Sequence, residues 1–264
     1  LKEKGYESCA ITDHDNMFGA IEFYHAMKTA NLKPIIGVGA SVAEEETQQQ
    51  LNSLGRKKSS PGQIQLLCLN RAGYQNLSFM MSLSYTEGKV NGTPCINYQL
   101  LEKYNEGLIV LSGGMNSQIN RLLHNGRMEE ARSIAIWYRD LFDGRYYIEL
   151  QSTGLSEQKT QNEQLVILGD ELDIPLVGTN DCFYITEEEA EAQYILWLMG
   201  LQLRVTDEGV PPMQGNQRYL KSPDEMLSAF AELPLVALNN TSKIAEQCEL
   251  SLENNKIFLP QIST

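Results

Sequence analysis

Histidine and positive charge are what this sequence has least of. Three histidines, His14, His25 and His124, stand among 264 residues, so few imidazoles are on hand for any metal centre. Basic residues number 21 against 34 acidic ones, a net charge of −13. Phosphate contacts dominate nucleic-acid affinity through counterion release, and so acidic a chain is a poor general DNA binder. The cysteines, Cys9, Cys68, Cys95, Cys182 and Cys248, form no C-x-x-C pair, which removes the common zinc and redox motifs. They are expected to be reduced, each a small buried hydrophobe. No apolar run approaches the ~18 residues of a membrane-spanning helix. The opening residues, LKEKGYESC, hold neither an initiator methionine nor a signal-like apolar core, which reads as a piece of a longer cytoplasmic protein. Nucleotide and nucleophile signatures are missing as well. The "GVG" at 37–39 lacks the rest of G-x-G-x-x-G, no G-x-x-x-x-G-K-[ST] occurs, and "LSGG" is not a G-x-S-x-G frame.

What is present is ordinary globular composition, 42% hydrophobic and 21% charged, in a chain long enough for one large domain or a domain with a small appendage. Short apolar runs alternate with segments of helical period. "ESCAIT", "IIGVGASV", "QIQLLCL", "GLIVLSGG", "RYYIEL" and "PLVGTND" read as strands. Helices are expected over 17–30, 74–85, 98–104, 116–124, 128–142, 157–171, 187–199, 224–230 and 235–249. In the first, Phe18, Ile21, Tyr24, His25 and Met27 recur at helical spacing, with His25 on or near the packed face. His124 ends a helix, where its charge suits the dipole. Thr186 is the expected N-cap of the helix with three leading glutamates. Trp137, Phe142, Tyr147 and Ile148 are expected to face inward. The polar stretch over 44–62 has no periodicity and reads as a mobile loop. The alternation argues for βα units around a parallel sheet, as a β/α barrel with its chemistry at the strand C-terminal ends; a doubly wound open sheet is the alternative. The barrel is expected over 1–200, with a connector of helices and extended tail over 201–264.

The stretch "AITDHDN" allows two readings. Asp13 and His14 follow the first strand and Asp181 follows "PLVGT", so all three point toward a barrel mouth. Carboxylate and imidazole are donors that zinc or manganese accepts, and such a cluster activates water for phosphoester hydrolysis. The competing reading is that Thr12, Asp13 or Asp15 caps the helix opening at Met17, and short Asp caps are far commoner than metal sites.

The ordered set "AITDHDNMFGAIEFYHAM", "KPIIGV", "GYQNL", "EGLIVLSGG", "YYIELQSTGLSEQ", "PLVGTND", "YLKSPDEM" and "LNNTSKIAEQCELSL…FLPQ" resembles, nearly end to end, the N-terminal region of bacterial replicative polymerase III alpha subunits. That region is a polymerase-and-histidinol-phosphatase (PHP) domain, and the resemblance implies a distorted, TIM-like, seven-stranded β/α barrel with a helical C-terminal connector. Its first strand, bearing an H-x-H motif, would lie upstream of Leu1. In active members a metal cluster at the strand ends supports 3′–5′ exonuclease chemistry. Asp13 and His14 match ligands of the "TDH" motif and Asp181 the Asp of "NDxH". The remaining donors are replaced: Phe183 stands for a histidine, Gly39 for a glutamate, Gln63 for a histidine and Gly114 for a cysteine.

Three donors, two of them adjacent, leave an ion's dehydration uncompensated. The metal site at Asp13, His14 and Asp181 is therefore expected to be vestigial, with Asp13 still capping the helix and no catalytic residue or bound cofactor in this segment. Zinc or manganese enters only if the site is active. By resemblance, the segment is a structural and protein-docking domain whose partners are the proofreading exonuclease subunit, other replicase subunits and the rest of the alpha subunit. DNA synthesis would use Mg2+ at palm aspartates downstream of Thr264, so DNA is met through the parent polymerase; no membrane is involved. The alternative is a living metal-dependent exonuclease or phosphoesterase using Asp13, His14 and Asp181. A free-standing PHP phosphatase of amino-acid biosynthesis fits less well, because the extension from Tyr219 matches the polymerase connector.

Overall fold

The computed structural model describes residues 1–43 and 60–253. Most of the loop expected over 44–62, and the extended tail from residue 256, lie outside the described residues. Six strands, β1 (Ser8–Ile11), β2 (Lys33–Val42), β3 (Gly62–Cys68), β6 (Leu108–Leu111), β7 (Tyr146–Gln151) and β8 (Leu176–Thr179), build one curled sheet in the order β1-β2-β3-β6-β7-β8. Each of the six strand readings is present. The arrangement is a mixed α/β half-barrel with β1 and β8 as its edges among the described residues. The all-parallel expectation needs correction at one strand: β3 runs antiparallel to both β2 and β6, while the other pairings are parallel. Hydrophobic alternation reports which face a side chain takes and is blind to strand direction.

That reversal decides where the polar residues fall. Across the sheet, register sets Gly37 against Leu67 and Leu67 against Ile109, then Gly39 against Gln65 and Ser41 against Gln63. Farther along, Glu149 lies against Val177 and Gln151 against Thr179. Side chains two apart share a face, so these residues line one side. Its one end is apolar, with Ile35, Leu67, Ile109, Tyr147 and Val177 packed with Ile244 and Cys248. Its other end, at the C-termini of the parallel strands and the N-terminus of β3, carries Ser41, Gln63, Gln65, Glu149, Gln151 and Thr179. The opposite face is apolar throughout, packing Ile36, Val38, Leu66, Val110 and Ile148 with Tyr24, Leu77, Phe142, Leu168 and Phe230.

Four of the described helices start where a short polar side chain caps them. Asn70 accepts from Gly73 N at 3.1 Å to open α2 (Arg71–Thr86), Asn97 from Leu100 N at 2.9 Å to open α3 (Tyr98–Tyr104), and Ser117 from Asn120 N at 3.1 Å to open α4 (Gln118–His124). Helices α5 (Met128–Phe142) and α6 (Ser156–Leu172) follow. Thr186 forms a capping box with Glu189 around a 3-10 turn that leads into α7 (Ala190–Gly200). Ser222 and Glu225 form another around α8 (Pro223–Ala229), and α9 (Val236–Gln247) packs along β8. A two-stranded ribbon outside the expected strands, β4 (Lys89–Val90) with β5 (Thr93–Pro94), turns at Asn91-Gly92, both at positive φ, the pair that a tight hairpin requires.

The first helix departs most from expectation. It spans Ala20–Thr29 (α1), with Gly19 as N-cap and no side-chain cap bond, so Asp13 does not cap it. Met17, Phe18 and Gly19, which the spacing assigned to a helix, precede it instead, after a turn in which Asp15 is left-handed at φ 57° and Asn16 Oδ1 accepts from Phe18 N at 3.0 Å. The buried face is Ala20, Tyr24 and Met27, leaving Phe18, Ile21 and His25 exposed. His124 is exposed at the end of α4, as placed. Phe142, Tyr147 and Ile148 are buried and Trp137 partly so. Of the cysteines, Cys68, Cys95 and Cys248 are buried, Cys9 is half-buried and Cys182 is exposed, so the core reading fails at the last.

Candidate functional site

Backbone pairing beyond β1 carries the expected donors to the polar end of the sheet. Gly39 N donates to Asp13 O at 3.0 Å and Asp15 N to Gly39 O at 2.9 Å, which extends the β1–β2 ladder to a bridge between His14 and Gly39. His14 consequently lies over a residue with no side chain. A Cβ on Gly39 would come within 3.1 Å of Gln65 Oε1 and 3.3 Å of His14 Nδ1, and Gln63 Nε2 is 3.5 Å from the same nitrogen. The His14 ring stacks on Phe183, with centroids 6.1 Å apart and planes at 24°. Three positions that lack the family's donors, Gly39, Gln63 and Phe183, thus gather around the one histidine.

The three carboxylates nearest the mouth have separate engagements. Asp13 is exposed, its Oδ2 beside Gly19. Asp15 accepts from Ser41 N at 2.6 Å and from Ser41 Oγ at 3.0 Å, tying the turn to β2. Burial raises its pKa, opposed by those two bonds and by His14. Asp181 lies 3.6 Å from Arg218 Nε. Burial raises its pKa as well, and Arg218 and then His14 pull it back. The Arg218 guanidinium also sits 5.4 Å from the centre of the Phe183 ring. Cation, ring, imidazole and carboxylate therefore form one contact chain, Asp181–Arg218–Phe183–His14.

Arg218 reaches the mouth because its backbone is strung along residues 183–184. Phe183 N donates to Arg218 O at 2.9 Å, Leu220 N to Tyr184 O at 2.9 Å, and Asn180 Nδ2 to Tyr219 O at 2.6 Å. Lys221, 3% exposed, follows on this segment; it donates to Gln217 O and lies 4.5 Å from the Tyr219 ring centre. Tyr6 from the other sheet edge donates to Lys221 O at 2.7 Å, so the segment bridges the ends of β1 and β8.

Deeper in the same face sits Glu149, 2% exposed. Its Oε1 accepts from Gln151 Nε2 at 3.0 Å and from Thr179 Oγ1, while Oε2 has no hydrogen-bond partner. Burial raises its pKa; the Thr179 and Gln151 bonds oppose that, and the Asp181 charge adds to it. Gly114, where the family pattern places a thiol, has its Cβ position 2.3 Å from Gln151 Oε1, so the glutamine occupies that space.

These residues are a poor fit for a metal cluster. Asp15 is held by Ser41, Asp181 faces Arg218, and Glu149 is bonded to its neighbours. Among the described residues no three of His, Cys, Asp and Glu are placed to hold an ion together. Arg218, Glu149 and the Asp15–Ser41 pair escaped the sequence reading. Glu149 carried a signal, a charge inside the otherwise apolar strand "YYIELQ"; Arg218 carried none, lying 37 positions beyond Asp181.

Comparison with known proteins adds the following. The PHP domain family model matches residues 1–153. DNA polymerase III subunit alpha of Borreliella burgdorferi is 40% identical over 241 residues, covering 91% of this chain and 21% of that protein. Its namesakes from Campylobacter jejuni and Deinococcus radiodurans are 36% and 35% identical, covering 96% and 94% of this chain and 21% and 19% of theirs. The chain thus spans about a fifth of the curated relatives it matches. Among solved structures, a metal-dependent phosphoesterase candidate from Bifidobacterium adolescentis aligns at a TM-score of 0.43 and 13% identity, over 86% of this chain and 87% of that one.

Proposed function

The chain belongs to the PHP domain family, and from that premise we propose that it serves as the PHP domain of a bacterial replicative polymerase alpha subunit, in a structural and docking role that uses no metal. Similarity to three alpha subunits over more than nine-tenths of this chain supports the setting. Polymerisation would belong to the remaining four-fifths of such a protein, with its own Mg2+, in the cytoplasm. The division near residue 200 into barrel and connector is part of the same proposal.

The observation that carries the metal-free reading is the Arg218 guanidinium beside Asp181. A positive side chain at a would-be ligand opposes a divalent ion, and His14 is already stacked against Phe183. With net charge −13, the fitting partner is a protein, the proofreading exonuclease subunit foremost, more than DNA. On this reading Asp13, His14 and Asp181 are vestiges of a ligand set.

Elemental analysis and a nuclease assay of the purified chain test this directly. The expected result is substoichiometric zinc and manganese, no 3′–5′ exonuclease or phosphatase turnover, and retained binding to a proofreading subunit. Stoichiometric metal, lost together with hydrolysis in Asp13→Ala, would establish the phosphoesterase reading in its place.

A further inference from the structure

We infer that Arg218 is the resident cation of this mouth, doing for Asp181 what a metal ion does in a ligand cluster, and that in doing so it latches the segment over 217–221 across the open side of the sheet. The inference rests on the metal-free reading above and adds to it a role for a residue that lies outside every motif.

Three independent contacts converge on the arginine. Its Nε is 3.6 Å from Asp181 Oδ2, its guanidinium lies over the Phe183 ring, and its carbonyl accepts from Phe183 N at 2.9 Å. Side chain and main chain thus grip the same two neighbours, residues 181 and 183, from the loop after β8. Both ends of the ion pair are largely shielded, with side chains 27% and 34% exposed. In such surroundings the attraction is screened less than on an open surface. A carboxylate drawn out of water needs a counter-charge, and the Arg218 guanidinium stands 3.6 Å from the Asp181 carboxylate.

The latch acts at a particular place in the fold. Among the described residues, strands β1 and β8 are the sheet edges, β1 pairing only with β2 and β8 only with β7. Residues 217–221 cross between them. Asn180 Nδ2 donates to Tyr219 O from the β8 side, and Tyr6 hydroxyl donates to Lys221 O from the β1 side. A metal cluster draws such elements together through shared ligands. Here the side chains run in series from Asp181 through Arg218 and Phe183 to His14, and the position where a histidine would ligate is a ring on which the guanidinium rests. Phe183 then has a purpose beyond the loss of a donor: arginine stacks on an aromatic face, which a charged imidazolium would repel.

A double-mutant cycle on the purified chain tests the idea, with Arg218→Met, Asp181→Asn and both together, followed by thermal unfolding and amide hydrogen exchange. Each single change is expected to lower the midpoint by about 2–4 °C, and the double to lower it no further than the worse single. The Phe183 and Leu220 amides are expected to exchange several-fold faster in Arg218→Met. Arg218→Lys, which keeps the charge but loses the flat fork, should recover only part of the protection, and it serves as the readout should Arg218→Met not fold. The wild-type midpoint is expected to stay unchanged on adding EDTA, Zn2+ or Mn2+. Strictly additive midpoints, or unaltered exchange at Phe183 and Leu220, would overturn the latch while leaving the metal-free reading standing. A midpoint that falls with EDTA, with stoichiometric metal in the protein, would overturn both.

Discussion

The sharpest test of the mouth's electrostatics is Glu149→Gln followed across pH. The wild-type carboxyl is buried and keeps two bonds on Oε1, from Gln151 Nε2 and Thr179 Oγ1, with nothing on Oε2. Glutamine retains an acceptor for the first pair and puts an amide nitrogen in the second place. Either side chain leaves one buried polar atom unsatisfied, at about 1–3 kcal/mol, so while Glu149 is protonated the two proteins should differ by only about 1 kcal/mol. The sign of the pH effect follows from the direction of the shift. Burial raises the folded carboxyl above its unfolded value. Below the ordinary glutamate range both states hold the proton and there is no penalty. Above it the unfolded chain releases a proton that the folded chain keeps, and the wild type loses stability as pH rises until the folded carboxyl ionises too. Within that window the advantage of Glu149→Gln should grow by about 1.4 kcal/mol per pH unit. Urea unfolding of both proteins from about pH 4.5 upward gives the difference directly. A gap that stays flat, or that turns against glutamine at high pH, would refute the reasoning. It would mean an ionised Glu149 neutralised by a positive charge, and the case for a bound cation would reopen.

Two further perturbations address the scaffold. A Cβ at Gly73 would meet the backbone oxygen of Gly107 at 1.8 Å, where no side-chain motion can relieve it; Gly73→Ala should therefore cost more than about 3 kcal/mol and lower the urea midpoint sharply, and an unchanged midpoint would show that the α2 entry and the β6 approach are not in contact. Ser222→Ala removes one side of the Ser222–Glu225 capping box that starts α8. A loss of about 1 kcal/mol is expected, measured by calorimetry, with Glu225→Gln milder because an amide oxygen can still accept from Ser222 N.

How much of this was legible beforehand depended on what each residue's signal encoded. All six sheet strands were, because "IIGVGASV" or "RYYIEL" must be buried whichever way they run. Direction was not: the reversal of β3 leaves alternation untouched, yet it is what carries Gln63 and Gln65 to the mouth and Leu67 to the apolar end. The cap at Thr186 was legible because capping is local chemistry that follows from a few adjacent residues; those at Asn70, Asn97, Ser117 and Ser222 are of the same local kind but went unread. The start of α1 was misjudged for the converse reason. Helical spacing of Phe18 and Ile21 suggested a helix, but Asp15 bonds to Ser41, 26 residues away, and that bond holds the turn open. Asp13, His14 and Asp181 could be placed at strand ends because strands end where apolar runs end. Their partners could not: Arg218 meets Asp181 only through the pairing of residues 183–184 with 218–220.

Helix α7 leaves a practical consequence. Buried only at Ala190 and Leu198, it shows Leu196 and Met199 to water, and Leu201 and Val205 just beyond it are exposed as well. Greasy surface of this kind favours self-adhesion, and long-range repulsion from thirteen surplus negative charges opposes it. Colloidal behaviour should accordingly turn on ionic strength: salt that screens the repulsion removes the brake while leaving the exposed apolar side chains in place, so dispersal is expected to be best in dilute buffers well above the isoelectric point of about 4.7.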